Sequence, residues 1–169
     1  MKNIILIGFM ACGKSSVGRR LSQALGMEFL DTDELIEQKE GTTVSDIFAT
    51  QGEAAFRVME TECLKGLLDR DGAPFVLSVG GGLPIREENR GLLSQLGKVV
   101  YLKVSADTVF MRVRNDKTRP LLQTANPRGR IMDLMSARKC FYEDAADYIL
   151  EADDKSFEEI IEEIKEICG

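Results

Sequence analysis

Eight residues near the start of the chain, Gly8-Phe9-Met10-Ala11-Cys12-Gly13-Lys14-Ser15, are spaced to hold phosphate. They match G-x-x-x-x-G-K-[ST], in which glycines let backbone N–H groups close on a polyphosphate, a lysine ammonium reaches the outer phosphates and a hydroxyl ligates Mg²⁺. Gly8, Ala11, Cys12, Gly13, Lys14, Ser15 and Ser16 are therefore candidate ligands of a nucleoside triphosphate. Asp31-Thr32-Asp33 carries two carboxylates two residues apart. One of them suffices to cap a helix, a role worth about 1 kcal/mol, so the pair also suits Mg²⁺ or hydroxyl recognition. Arg57 and Glu60 stand at i, i+3, a spacing that alone reads as a surface ion pair worth about 0.2–0.5 kcal/mol. Gly80-Gly81-Gly82 costs chain entropy that close backbone approach to a ligand justifies. Arg138, at helical spacing from Phe141, Tyr142 and Ala145, is unremarkable by itself.

The elements that must position these groups follow from apolar patterning. Asn3–Ile7, Met27–Asp31, Phe75–Val79, Val99–Val104 and Tyr148–Leu150 read as short strands, the third a continuous apolar run suited to a central parallel strand. Between them, Val17, Leu21, Ala24 and Leu25 recur at helical spacing. Further helices are expected over 32–40 (closed by Gly41), 43–50, 53–68, 86–96, 106–114, 131–146 and 156–167, with 115–129 a polar loop carrying Pro120 and Pro127. Short apolar strands alternating with helices predict an α/β domain with a parallel sheet. In such sheets ligands bind beyond the carboxyl ends of the strands, where Asp31, Gly80 and the phosphate loop all fall.

At 169 residues and 44% hydrophobic composition the chain reads as one globular domain. The opening apolar run is too short for a signal segment, and Cys12, Cys63, Cys140 and Cys168 show no C-x-x-C spacing, so reduced thiols are expected. The absence of histidine excludes His-based acid–base chemistry and His-ligated metals, leaving a hard cation held by oxygen. The net charge of −6 argues against general nucleic-acid binding. Charge is uneven, however: residues 112–139 hold eight basic residues against two acidic, +6 in a remainder of −12. That pattern fits a local anionic ligand or a solvated helix face.

Taken in order, these elements resemble the shikimate kinase family over nearly the whole chain: the phosphate loop, then Asp31-Thr32-Asp33, Phe56-Arg57-Val58-Met59-Glu60, Gly80-Gly81-Gly82, Arg119-Pro120-Leu121-Leu122, and Arg138, Tyr142 and Ala146. The resemblance implies a three-layer phosphate-loop kinase fold of the nucleoside-monophosphate-kinase type, with a five-stranded parallel sheet in order 2-3-1-4-5. It implies transfer of the γ-phosphoryl group of ATP to the 3-hydroxyl of shikimate, in aromatic amino-acid biosynthesis, with one Mg²⁺ ion per subunit. A single kinase domain over 1–169 is expected, with a mobile lid at about 112–128 and an acceptor-binding region at about 32–60. Carried over by position, Lys14, Asp33 and Arg119 are catalytic. Asp33, Arg57, Gly80, Gly81, Gly82 and Arg138 bind shikimate, with Glu60 orienting Arg57 and the two arginines gripping the carboxylate. Ser15 and Asp31 hold the metal. Arg112 stacks on adenine, and Phe48 and Phe56 form an apolar wall of the substrate pocket or pack in the core. A cytoplasmic monomer, with neither nucleic acid nor membrane as partner, completes the expectation.

Two positions depart from the family pattern: Ala11 where glycine is usual, and Val79 where threonine is frequent. The segment Ala152-Asp153-Asp154 offers no obvious base-binding residue. Among rivals of the same fold, a nucleotide kinase would call for a base pocket and phosphate-gripping arginines, whereas the Asp33, Arg57 and Arg138 set favours a hydroxy acid such as shikimate; a gluconate kinase stays the runner-up. A GTPase switch would need N-K-x-D, which Asn115-Asp116-Lys117-Thr118 fails to supply. A regulatory domain that binds nucleotide without catalysis has no use for intact Lys14, Ser15, Asp33 and Arg119.

Overall fold

Five short apolar runs become strands, the central ones buried on both faces and the edge strands β2 and β5 only in part. In β1 (Asn3–Ile7) residues Ile4 to Ile7 are all buried, as are all four residues of β3 (Phe75–Ser78). The computed structural model, which describes residues 2–115 and 124–169, pairs these with β2 (Glu28–Asp31), β4 (Gly97–Lys103) and β5 (Tyr148–Glu151). All pairings are parallel and the order is β2-β3-β1-β4-β5, as the resemblance implied. Helices cover the sheet, and a continuous core runs through Leu21, Leu64, Leu77, Leu93, Val99 and Ile164.

The helices are α1 (Lys14–Leu25), α2 (Thr32–Glu40), α3 (Val44–Gln51), α4 (Glu53–Leu68), α5 (Glu87–Leu96), α6 (Ala106–Val113), α7 (Pro127–Ala145) and α8 (Phe157–Cys168). Their starts are chemical: Asp31, Thr43, Ser105 and Ser156 each accept a backbone N–H from the first turn, and Ser156 forms a reciprocal capping box with Glu159. Helix α7 begins four residues earlier than the apolar pattern suggests. Pro127 is suited to a first helical position, and the Asn126 side chain accepts the Gly129 N–H at 3.1 Å, so residues assigned to a polar loop extend the helix. A single 3₁₀ turn, Leu83–Ile85, follows the glycine triplet. Among the described residues no helix is long and apolar enough to cross a membrane.

Register brings the chemistry together. Asp31 pairs with Ser78 and Ser78 with Leu6, so the ends of β2, β3 and β1 are level. Beyond that line lie Thr32 and Asp33, the triplet Gly80–Gly82 and the phosphate loop. Helices α2, α3 and α4 share a second small core of Ile36, Ile47 and Phe56, which ties the helix bearing Asp33 to the one bearing Arg57.

The sheet tolerates no side chain where β1 and β4 begin. Gly97 pairs with Asn3, and a Cβ there would overlap the Asn3 carbonyl. Gly97→Ala is expected to destabilise the protein by about 1–3 kcal/mol, the cost of overpacking, read as a lowered thermal midpoint. An unchanged midpoint would show that the strand start shifts freely.

Candidate active site

The phosphate loop closes on itself through its lysine. Lys14, largely buried, donates from Nζ to the carbonyls of Gly8 at 2.8 Å and Phe9 at 3.0 Å, with Cys12 Sγ at 3.8 Å. Ala11 adopts φ +57°, the left-handed region in which a side chain costs roughly 1–2 kcal/mol. The bend is held from outside: Arg112 Nη1 donates to the Ala11 carbonyl at 2.7 Å. Alanine thus reaches the conformation that glycine would adopt freely, at the cost of local strain. Beside the loop a cleft of about 650 Å³ is lined by Ala11, Gly13, Ser16, Arg112, Ala152 and Phe157, among others. The β5–α8 connection therefore does reach the nucleotide side, through Ala152 and Phe157, which carry no base-binding signature in sequence.

Asp31 caps α2 and also reaches the phosphate loop. One carboxylate oxygen accepts the N–H groups of Asp33 and Glu34, and the other accepts the Ser15 hydroxyl at 3.1 Å. The paired Ser15 and Asp31 oxygens form a hard donor set at the phosphate loop, which fits Mg²⁺. Asp33, the second residue of α2, instead faces the glycine triplet.

That triplet is the centre of the second half of the site. Measured from where a Cβ on Gly80 would sit, Glu60 Oε2 is 3.0 Å away and Asp33 Oδ1 3.2 Å. On Gly82 the same atom would stand 2.5 Å from Arg57 Nη2, so the guanidinium lies directly against the backbone. On Gly81 it would stand 3.7 Å from Arg138 Nη1. Four charged side chains from α2, α4 and α7 thus converge on three residues with none. The sequence spacing left Arg57 and Glu60 as a surface pair, but Glu60 is 0% exposed and its Oε1 lies 2.7 Å from Arg57 Nη1. Glu53 takes the other arm of Arg57 at 3.2 Å. Arg138 lies over the Phe9 ring, its carbon 5.6 Å from the centroid.

Two buried side chains that lie within the quoted motifs, but to which the sequence assigns no role, pin the triplet itself. Thr32 Oγ1, fully buried, accepts the Gly80 N–H at 3.1 Å, and the Tyr142 hydroxyl donates to the Gly81 carbonyl at 2.6 Å. Tyr142 in turn packs on Tyr101 with ring centroids 5.1 Å apart. Phe56 belongs to the small helical core, while Phe48 stacks on it at 5.0 Å and stays exposed. Arg119 lies outside the described residues.

Among the described residues, Asp33 Oδ1 and Glu60 Oε2 are buried carboxylate oxygens with no hydrogen-bond partner. Burial, reinforced by Asp31, pushes the Asp33 carboxyl up to about 6 from its ordinary value near 3.8. Burial likewise raises Glu60, against the pull of Arg57. Two proton-accepting oxygens and two guanidinium forks on one wall can hold a small polyhydroxylated acid: hydroxyls toward the carboxylates, carboxylate toward the arginines.

A family model described as shikimate kinase matches residues 10–168. The chain is 45% identical over 155 residues to the shikimate kinase of Actinobacillus pleuropneumoniae serotype 5b, covering 92% of this chain and 88% of that one. It is 43% identical over 164 residues to that of a Sulfurihydrogenibium species, covering 97% and 96%. The chain belongs to the shikimate kinase family. In structure it is similar to the shikimate kinase of Acinetobacter baumannii in complex with shikimate, with TM-score 0.91, 40% identity and coverage of 99% and 92%. It is also similar to that of Aquifex aeolicus, with TM-score 0.81, 36% identity and coverage of 96% and 94%. The fold class implied by the resemblance is thus the fold of this shikimate kinase family member, and ATP is its co-substrate.

The raised Asp33 carboxyl makes a stability prediction. Below about pH 4 it is protonated in both the folded and unfolded protein and contributes no difference. As pH rises toward 6 the unfolded chain releases the proton while the folded one retains it, so stability is lost across that window and stays lost above it. Asp33→Asn, which cannot ionise, should melt higher than wild type at pH 8, with the gap shrinking as pH falls from 6 to 4. A gap independent of pH would contradict the shift.

Proposed function

We propose that this chain catalyses the ATP-dependent phosphorylation of the 3-hydroxyl of shikimate through the residues gathered at the glycine triplet and the phosphate loop. The observation that carries the reading is the convergence of Asp33, Arg57 and Arg138 on Gly80–Gly82. Lys14 would exchange its hold on the Gly8 and Phe9 carbonyls for the β- and γ-phosphates. Ser15 and Asp31 would hold Mg²⁺, which supplies charge neutralisation on the polyphosphate. Arg112, already fixed on the loop, borders the cleft suited to the adenine ring. By resemblance alone, Arg119 is given the transferring phosphoryl group.

On the acceptor side, Arg57 and Arg138 would grip the shikimate carboxylate as planar forks. Asp33 would accept a hydrogen bond from the reacting hydroxyl, and an affinity for protons near neutrality suits it to take up the proton as the O–P bond forms. Phosphoryl transfer through a loose transition state demands little from a base, so alignment of that hydroxyl is the larger contribution. Action as a monomer is what the family resemblance implies. Four free cysteines and a biosynthetic family support a cytoplasmic location.

The test is a coupled assay of ADP formation with shikimate, gluconate and nucleoside monophosphates as acceptors. Shikimate alone is expected to sustain turnover; comparable kcat/KM with another acceptor would replace the assignment. Arg57→Ala and Arg138→Ala should each weaken shikimate binding by about 2–5 kcal/mol, much of it the cost of the stranded partner, with ATP affinity unchanged. Shikimate methyl ester should reproduce that loss on the wild type. An ester that binds as well as the acid removes the carboxylate grip.

Asp33→Asn should retain ATP affinity while turnover falls ~10²-fold or more. Titration of nucleotide binding beside saturating kinetics separates the two effects. Near-normal kcat would take Asp33 out of the reaction.

A further inference from the structure

Helix α5 carries no residue that reaches either substrate side of the site, yet its third residue is polar and 0% exposed. Asn89 shares a helical face with Leu93 and Leu96, both buried, so it occupies a core position. Its amide is fully directed. Nδ2 donates to the Leu83 carbonyl at 2.9 Å, and Oδ1 accepts the Thr61 hydroxyl at 2.7 Å. Because a carbonyl can only accept, the orientation of the amide follows from its partners.

The chain of bonds continues into α4. Thr61, 4% exposed, has a single hydroxyl proton, and the shorter contact assigns it to Asn89. Its oxygen accepts Arg86 Nη1 at 3.0 Å, and the same Arg86 nitrogen donates to the Arg57 carbonyl at 3.1 Å. Leu83 is the residue after the triplet, and Thr61 lies one helical turn beyond Arg57. Asn89 is therefore a spacer of fixed length between the loop that forms the wall and the helix that presents the guanidinium. Arg57 has its guanidinium flat against Gly82, and a slide of α4 along the loop would lift it off that surface.

We propose that Asn89 and Thr61 are positioning residues for shikimate binding, acting through Arg57. The pair sets the separation of α4 from Gly82–Leu83 and thereby the direction in which the Arg57 fork meets the acceptor carboxylate. This rests on the assignment of Arg57 as a carboxylate grip. The nucleotide half of the site shares none of these bonds.

The deciding variant is Thr61→Val, which preserves size and β-branching and removes only the hydroxyl. It should raise the KM for shikimate about 5- to 20-fold while leaving ATP affinity within twofold, and Thr61→Ser should restore the wild-type KM. Asn89→Leu should show the same selectivity with a larger effect and a lower melting midpoint; if it does not fold, Thr61→Val still decides. In an Arg57→Ala background Thr61→Val should produce no further rise in KM. If Arg57→Ala raises KM and Thr61→Val lowers only the melting midpoint, the bridge is structural and the proposal fails. An additive effect of the two substitutions overturns the route through Arg57. If Arg57→Ala itself leaves KM unchanged, the carboxylate grip falls and the positioning role falls with it.

Discussion

Glu60 is an ionisable group from which water has been removed entirely, and the acceptor half of the protein is arranged around balancing its charge. A lone buried carboxylate is very costly, and a buried ion pair rarely repays its own desolvation. Arg57 balances one of its oxygens, Glu53 restrains the far arm of Arg57, and the second Glu60 oxygen looks across Gly80 toward Asp33. Charges held this way are not an efficient means of stabilising a fold. Their value lies in direction, because the pair fixes a guanidinium that is otherwise among the most mobile of side chains.

The two halves of the site are built on different principles. The phosphate loop depends on backbone geometry and is braced by cations, Lys14 from within and Arg112 from without. That bracing accounts for an alanine at φ +57°. The acceptor wall combines charged side chains that arrive from three helices with the backbone of Gly80, Gly81 and Leu83, which is held by neutral hydrogen bonds with Thr32, Tyr142 and Asn89. Parallel register joins the halves, since β1 and β3 end level and deliver the loop and the triplet side by side. Selectivity for nucleotide and for acceptor can therefore change independently.

Much of this was legible before any coordinates. Strand–loop–helix around Lys14, the capped start of α2 and the break at Gly41 are local signals, and local signals survive in a linear sequence. The start of α7 was misplaced because apolar periodicity begins only at Ile131, whereas the cap at Asn126 and the proline after it act through backbone. Arg57 and Glu60 looked like a surface pair because spacing within one helix does not report what packs on it. Asn89 and Thr61 were passed over for a related reason. The available clue was a polar residue on an apolar stripe, and only the fold shows which carbonyl it meets. Ala152 lies in a segment weighed for base binding but offers no base-binding chemistry, and Phe157 carries no signal for the cleft, since lining one requires no particular chemistry.

A wall made of main chain has a consequence for how such an enzyme can diversify. Gly80, Gly81 and Gly82 contribute shape and no functional group, and a methyl on Gly80 or Gly82 would press on the charged heads behind it. At Gly80 and Gly82 a point mutation must first displace those heads, whereas Gly81 has room for a methyl. A lineage searching for another acceptor, or an engineer doing so, must therefore leave the first and third glycines alone and work on the helices opposite, at Asp33, Arg57 and Arg138. Gly80 and Gly82 act as a fixed ruler against which those three side chains are varied.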